Sequence, residues 1–106
     1  MYITAQFDSG NIEVIAANEP HDIQLAIRHD NESEFFQWFH FKLYGEAGVE
    51  HVMTITNASK AAYPDGWNGY EAVASYDRET WFRVPTEYNG TELIIRHTPE
   101  QESVYY

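Results

Sequence analysis

The sequence has no cysteine. Disulfides and thiolate metal sites are therefore excluded, and a reducing compartment is favoured. Basic residues are scarce: six Lys and Arg stand against seventeen Asp and Glu, a formal net charge of -11. Such a chain repels phosphate backbones and anionic lipid heads at long range, so neither nucleic acid nor a membrane is an expected partner. The opening residues Met1-Tyr2-Ile3-Thr4-Ala5-Gln6-Phe7-Asp8 carry no basic cluster and no long apolar run. They read as neither a signal peptide nor a membrane helix, and the expected location is cytoplasmic. In that setting the triplets beginning at Asn31, Asn57 and Asn89 are turns rather than glycosylation sites. Also missing are a Gly-x-Ser-x-Gly elbow, a phosphate-binding glycine loop, a His-x-His pair on one strand and any amphipathic helical period. Catalysis by this segment alone is not expected.

What the sequence has is aromatic residues, 16% of 106 positions, in a chain that is 43% hydrophobic. That composition suits one globular domain with a single core, spanning residues 1–106. The densest stretch is Glu34-Phe35-Phe36-Gln37-Trp38-Phe39-His40-Phe41-Lys42-Leu43-Tyr44, which reads as a long central β-strand. Phe35, Phe39, Phe41 and Leu43 alternate toward the core. Phe36 and Trp38 make the opposite face only half polar, so a second layer or another body should cover part of it.

Along the chain, residues 2–7 and 11–16 form a candidate hairpin about Asp8-Ser9-Gly10. Residues 22–28 alternate cleanly, with Ile23, Leu25 and Ile27 inward. Gly45-Glu46-Ala47-Gly48 permits a reversal from the long strand into 49–56, and the two should pair. From 57 to 69 the apolar period vanishes. This segment reads as a loop with room for one helical turn at 58–62, and Trp67 is expected at or near the surface between two turns. Strand character returns at 71–76 and 81–84, Pro85 stops the latter, Asn89-Gly90 signals a hairpin into 91–97, and 103–106 opens another strand. About eight or nine strands without a helix give an all-β fold, an antiparallel β-sandwich, jelly-roll-like or a flattened barrel. Because the chain stops on Tyr105-Tyr106 without a polar closing segment, it reads as the N-terminal domain of a longer protein.

Two His-x-x-Glu spacings, His29 to Glu32 and His97 to Glu100, match a known zinc-ligand pattern, but nothing supplies a third ligand and a general base beside them. Pairing Tyr44 with Val49 would set Lys42 opposite His51 with His40 on the same face, where the lysine opposes a metal. No metal or catalytic residue is assigned. The aromatic residues Tyr63, Trp67, Tyr70, Tyr76 and Trp81 cluster about the turn-rich middle and could form a platform that stacks on sugars or docks a protein. Trp38, Tyr63, Trp67, Tyr70, Trp81, Tyr105 and Tyr106 are the candidate docking or binding residues. The alternatives are a free-standing carbohydrate- or peptide-binding module, or a homo-oligomer of the isolated domain.

Phe7-Asp8-Ser9-Gly10-Asn11, Gln37-Trp38-Phe39-His40-Phe41, Tyr63-Pro64-Asp65-Gly66-Trp67, Val73-Ala74-Ser75-Tyr76-Asp77, Trp81-Phe82-Arg83-Val84 and Ser103-Val104-Tyr105-Tyr106 run in order through nearly the whole chain. Together they resemble the N-terminal β-sandwich domain of cytosolic-type zinc carboxypeptidases. The resemblance implies a non-catalytic accessory domain that packs on a following catalytic domain and shapes access to it. In that family the catalytic part holds zinc through His-x-x-Glu and a later His, with a Glu base and an Arg for the substrate carboxylate. None of those residues can be placed in this chain. The implied parent enzyme removes C-terminal residues, glutamate among them in eukaryotic relatives. Zinc is thus implied for the catalytic domain and no cofactor for this segment.

Overall fold

The computed structural model describes residues 1–7, 10–28, 39–60 and 64–106. Among them are ten strands: β1 Tyr2–Thr4, β2 Glu13–Glu19, β3 Asp22–Ala26, β4 Lys42–Tyr44, β5 His51–Ile55, β6 Val73–Ala74, β7 Phe82–Arg83, β8 Thr86–Tyr88, β9 Leu93–His97 and β10 Ser103–Tyr105. They form a three-stranded sheet ordered β1-β4-β10, a five-stranded sheet ordered β2-β3-β5-β9-β8, and the pair β6-β7. The all-β sandwich reading holds, with no closed barrel. Two 3-10 turns, Ala58–Lys60 and Pro64–Trp67, break the segment expected to be a loop.

The core follows from strand alternation. In the five-stranded sheet, Ile23 lies beside Met53 and Met53 beside Ile95, while Leu25 lies beside Ile55 and Ile55 beside Leu93. All six side chains are fully buried. Each contributes about 1.5–3 kcal/mol of transfer free energy. The three-stranded sheet offers a matching row, Ile3, Leu43 and Val104. Leu43, Val104 and Phe41 belong to the same core cluster as the five-stranded sheet, and Ile3 packs against it, so the two sheets share one core.

Of the expected inward positions, Ile23, Leu25, Ile27, Phe41 and Leu43 are buried, and Phe39 is partly buried against the core. The Asn89-Gly90 hairpin forms, with Tyr88 opposite Leu93 and Thr86 opposite Ile95, and the 103–106 segment does add a strand. The residues 34–38 of the long strand, including Phe35, Phe36 and Trp38, lie outside the described residues, as do Tyr63 and the His29 to Glu32 spacing.

Three pairings differ from expectation. β1 does not fold back on β2; it pairs with β4. Gly10 makes this crossing possible, because a Cβ there would clash with the carbonyl oxygen of Ala5. β4 and β5 do not pair either, and Lys42 lies opposite Thr4 and Tyr105 rather than His51. Gly45 instead receives the imidazole of His51, whose Nε2 would be 2.5 Å from a Cβ at that position. The chain therefore passes between sheets where a tight hairpin was expected. Lastly, β3 and β5 run parallel, the exception in otherwise antiparallel sheets.

Two asparagines substitute for a sheet partner just beyond β3. Asn57 Oδ1 accepts from the Ile27 N–H at 2.9 Å, and its Nδ2 donates to the Ile27 carbonyl at 2.9 Å. Asn11 Oδ1 accepts from the Arg28 N–H at 3.1 Å, and Nδ2 donates to the Arg28 carbonyl at 3.3 Å. Both side chains satisfy backbone groups that no strand reaches.

Candidate functional site

The register of the three-stranded sheet sends one row of residues outward. Thr4, Lys42 and Tyr105 lie side by side, and Tyr2, Tyr44 and Ser103 form the next row. The Tyr2 and Tyr44 rings stack at 4.7 Å with their planes 9° apart. Lys42 Nζ lies 4.7 Å from the Tyr44 ring centre and 4.9 Å from that of Tyr105. Hydrogen bonding to Tyr44 holds the ammonium above its ordinary pKa; burial opposes it, and Tyr105 adds a lesser upward contribution. The ring faces and the cation stabilise each other.

Beyond Tyr105 the patch continues without a gap. Phe7 meets Tyr105 edge-on at 5.7 Å and His40 edge-on at 5.0 Å. His40 in turn touches Trp81 at 5.9 Å. The Arg78 guanidinium lies 5.2 Å from both the Phe7 and Tyr105 rings. Arg78 adopts φ 66°, within a turn organised by Ser75, whose buried Oγ accepts from the Arg78 N–H at 2.7 Å and the Asp77 N–H at 3.2 Å. His40 is anchored at both ends: its backbone pairs with Asn11, and its Nδ1 hydrogen-bonds the Tyr106 carbonyl at 2.9 Å. Trp81 and Tyr2 remain exposed, at 39% and 57%. An exposed aromatic face carrying two of the six basic residues, in a chain of charge -11, suits an apolar partner surface with acidic groups.

Of the seven candidate residues, Trp81 and Tyr105 lie on this face. Trp38 and Tyr63 fall outside the described residues. Trp67 is corrected from surface to core, at 3% exposure; its indole N–H donates to the Ala58 carbonyl at 2.9 Å, which satisfies its one polar atom. Tyr70 packs edge-on against Trp67 at 5.2 Å and is partly buried. Tyr106 is 2% exposed, and its hydroxyl lies 2.7 Å from His97 Nδ1. Burial pushes that phenol well above its ordinary pKa. The proposed platform of Tyr63, Trp67, Tyr70, Tyr76 and Trp81 is not one surface: Trp67 and Tyr70 are one cluster, Tyr76 joins Phe82, and Trp81 joins His40. Phe7, His40, Lys42 and Arg78 were missed as site residues, since only the pairing of β10 with β4 brings them together.

Among the described residues, no three His, Cys, Asp or Glu side chains are placed to hold an ion. His51 and His97 face each other across β5 and β9. His51 Nδ1 lies 2.8 Å from the Val49 carbonyl, which can only accept, so this nitrogen carries the proton. Nε2 is buried without a partner among the described residues. Burial lowers the pKa of both rings, and His51 lowers that of His97 further. The fully buried His51 is structural, while His97 is only partly buried. No helix of the described residues is long and apolar enough to cross a membrane.

Comparison with known proteins shows the family. Residues 3–106 match the family described as cytosolic carboxypeptidase N-terminal domain. A metallo-carboxypeptidase of Burkholderia cenocepacia is 52% identical and superposes with a TM-score of 0.96, covering 99% of this chain and 28% of its own. A metallo-carboxypeptidase of Pseudomonas aeruginosa is likewise 52% identical, with a TM-score of 0.95 and the same coverage. An uncharacterized protein of Zymomonas mobilis is 42% identical over all 106 residues, which make up 28% of its length. The chain thus spans little more than a quarter of each of these relatives.

Proposed function

We propose, since this chain belongs to the family of cytosolic carboxypeptidase N-terminal domains, that it acts as a non-catalytic module docked on a catalytic zinc carboxypeptidase domain. The match over residues 3–106 to relatives more than three times as long carries this reading. The outward face of β1, β4 and β10, centred on Tyr105, Lys42, His40 and Trp81, is the docking surface. Its rings supply contact area with little rotamer entropy to lose, and Lys42 supplies a cation for an acidic group across the interface. The parent enzyme, in the cytoplasm, hydrolyses C-terminal residues, glutamate among them, and the module supports the folding of the catalytic part and shapes the rim of its entrance. The isolated domain pairs with itself only through the same uncovered face.

The test has two arms. The 106-residue chain with zinc and a peptide ending in glutamate gives no hydrolysis; turnover would refute the non-catalytic assignment. Mixed with the Burkholderia cenocepacia enzyme lacking its own matching segment, the chain binds it, and Trp81→Ala with Tyr105→Ala weakens that binding by about 2 kcal/mol or more, as expected of interface anchors. Absence of binding by the native chain, or binding unchanged by the double substitution, would remove the docking assignment.

A further inference from the structure

A second feature lies apart from the docking face. Where the β6-β7 pair meets the turn after β9, an open cleft of about 570 Å³ is lined by Tyr76, Asp77, Thr80, Phe82, His97 and Glu100. Its volume falls within the roughly 300–1,000 Å³ of small-ligand sites. Three rings form one wall: Tyr76 and Phe82 at 5.5 Å, Phe82 and His97 at 5.6 Å, and Tyr76 and His97 at 6.5 Å. Both charged lining residues are acidic, and no Lys or Arg among the described residues lines the cleft.

The parts are held in place by bonds that leave the acids available. The Tyr76 hydroxyl accepts from the Glu100 backbone N–H at 3.0 Å, which fixes the ring without using the Glu100 carboxylate. Asp77 Oδ1 accepts from the N–H groups of Glu79 and Thr80, at 2.8 and 2.9 Å, and from Ser75 Oγ at 3.0 Å. Oδ2 takes no part in those bonds. The Thr80 and Glu79 amides, with Ser75, hold the Asp77 carboxyl below its ordinary range, so it stays ionised at neutral pH.

We propose that this cleft binds the guanidinium group of a peptide arginine, packed against the wall of the Tyr76 and Phe82 rings, whose planes are tilted by 41°, and hydrogen-bonded to the carboxylates of Asp77 and Glu100. A planar cation is the chemistry that π-faces and carboxylates recognise jointly, and guanidinium meets both through its faces and its edge. Ammonium offers no flat face to the rings and binds more weakly. The inference does not depend on the docking reading, because the cleft residues are not those of the docking face.

The test titrates the 106-residue chain with N-acetyl-arginine amide while following backbone amide resonances by NMR. Saturable shifts at residues 76–80 and 97–100 are expected, and the neutral isostere N-acetyl-citrulline amide should bind at least about tenfold more weakly. Glu100→Gln, which leaves its structural backbone bond intact, should weaken arginine binding by about threefold or more at low salt. Glu13→Gln, an equal change of net charge on β2, should leave it unaltered. No saturable shift, equal binding of the citrulline compound, or the same response to both substitutions would overturn the proposal.

Discussion

The inner face of the five-stranded sheet and the outer face of the three-stranded sheet are built from different kinds of hydrophobic residue. The inner face of the five-stranded sheet is built from Ile23, Leu25, Met53, Ile55, Leu93 and Ile95, all with no exposure. The outer face of the three-stranded sheet is built from Tyr2, Tyr44 and Tyr105, extended by Phe7, His40 and Trp81. Flexible aliphatic side chains fill a closed volume to high density, whereas rings with polar edges can be half-wet and still offer large contact area. The first face holds the domain together, whereas the second leaves Trp81 and Tyr2 exposed. Stability and docking should therefore respond to different substitutions.

The largest effect should come from the aliphatic face. Ile95→Ala removes a buried side chain between Met53 and the β8 partner Thr86, and should cost about 2–5 kcal/mol, read as a fall in the urea midpoint. A change below 1 kcal/mol would break the comparison, since the closed face would then not be what stabilises the fold. Next comes the crossing between sheets. Gly10→Ala forces a Cβ onto the Ala5 carbonyl and should cost about 1–3 kcal/mol, although residue 10 lies on neither face.

The aliphatic face also contains its own weak point, the neutral pair His51 and His97. Both folded-state pKa values are lowered, foremost by burial, so the unfolded chain binds protons more readily. The stability they provide is complete above the unfolded pKa of about 6.5, and it declines as pH falls from there toward the folded values. Each ring should contribute a slope of up to about 1.4 kcal/mol per pH unit in that window. Urea midpoints at pH 7.5 and 5.5, with NMR titration of the two imidazoles, check the sign; a midpoint that rises on acidification together with His51 titrating at its ordinary pKa would contradict it.

The aliphatic face was legible in the sequence because strand alternation is local: Ile23, Leu25 and Ile27 mark their own side of the sheet. The Asn89-Gly90 hairpin was legible for the same reason. Chain crossings were not. Gly45 and Gly48 look like a hairpin turn from their neighbours alone, and only the buried His51 over Gly45 explains why β5 joins the other sheet. Trp67 sits among Pro64, Asp65, Gly66 and Asn68, a polar setting that suggests the surface, yet one hydrogen bond to Ala58 makes its burial inexpensive. The outer aromatic face was half legible. Trp81 and Tyr105 could be singled out as surplus aromatics, but Lys42 and His40 join them only through the long-range pairing of β4 with β10.

The smallest expected effect on stability sharpens the comparison most. Trp81→Ala removes a large aromatic side chain, which from a core would cost about 3–5 kcal/mol. Here the indole is 39% exposed and touches His40 at a centroid distance of 5.9 Å, and His40 is held independently by Asn11 and Tyr106. The isolated domain should therefore lose no more than about 1 kcal/mol, the worth of a single exposed aromatic contact. Lys42→Ala should cost about 0.5–1 kcal/mol through its lost ring contacts. If Trp81→Ala instead lowered the urea midpoint as far as Ile95→Ala, the outer face would be a second core, and its aromatic richness would reflect folding rather than a partner. A small loss of stability with a large loss of binding would place the two functions on the two sheets.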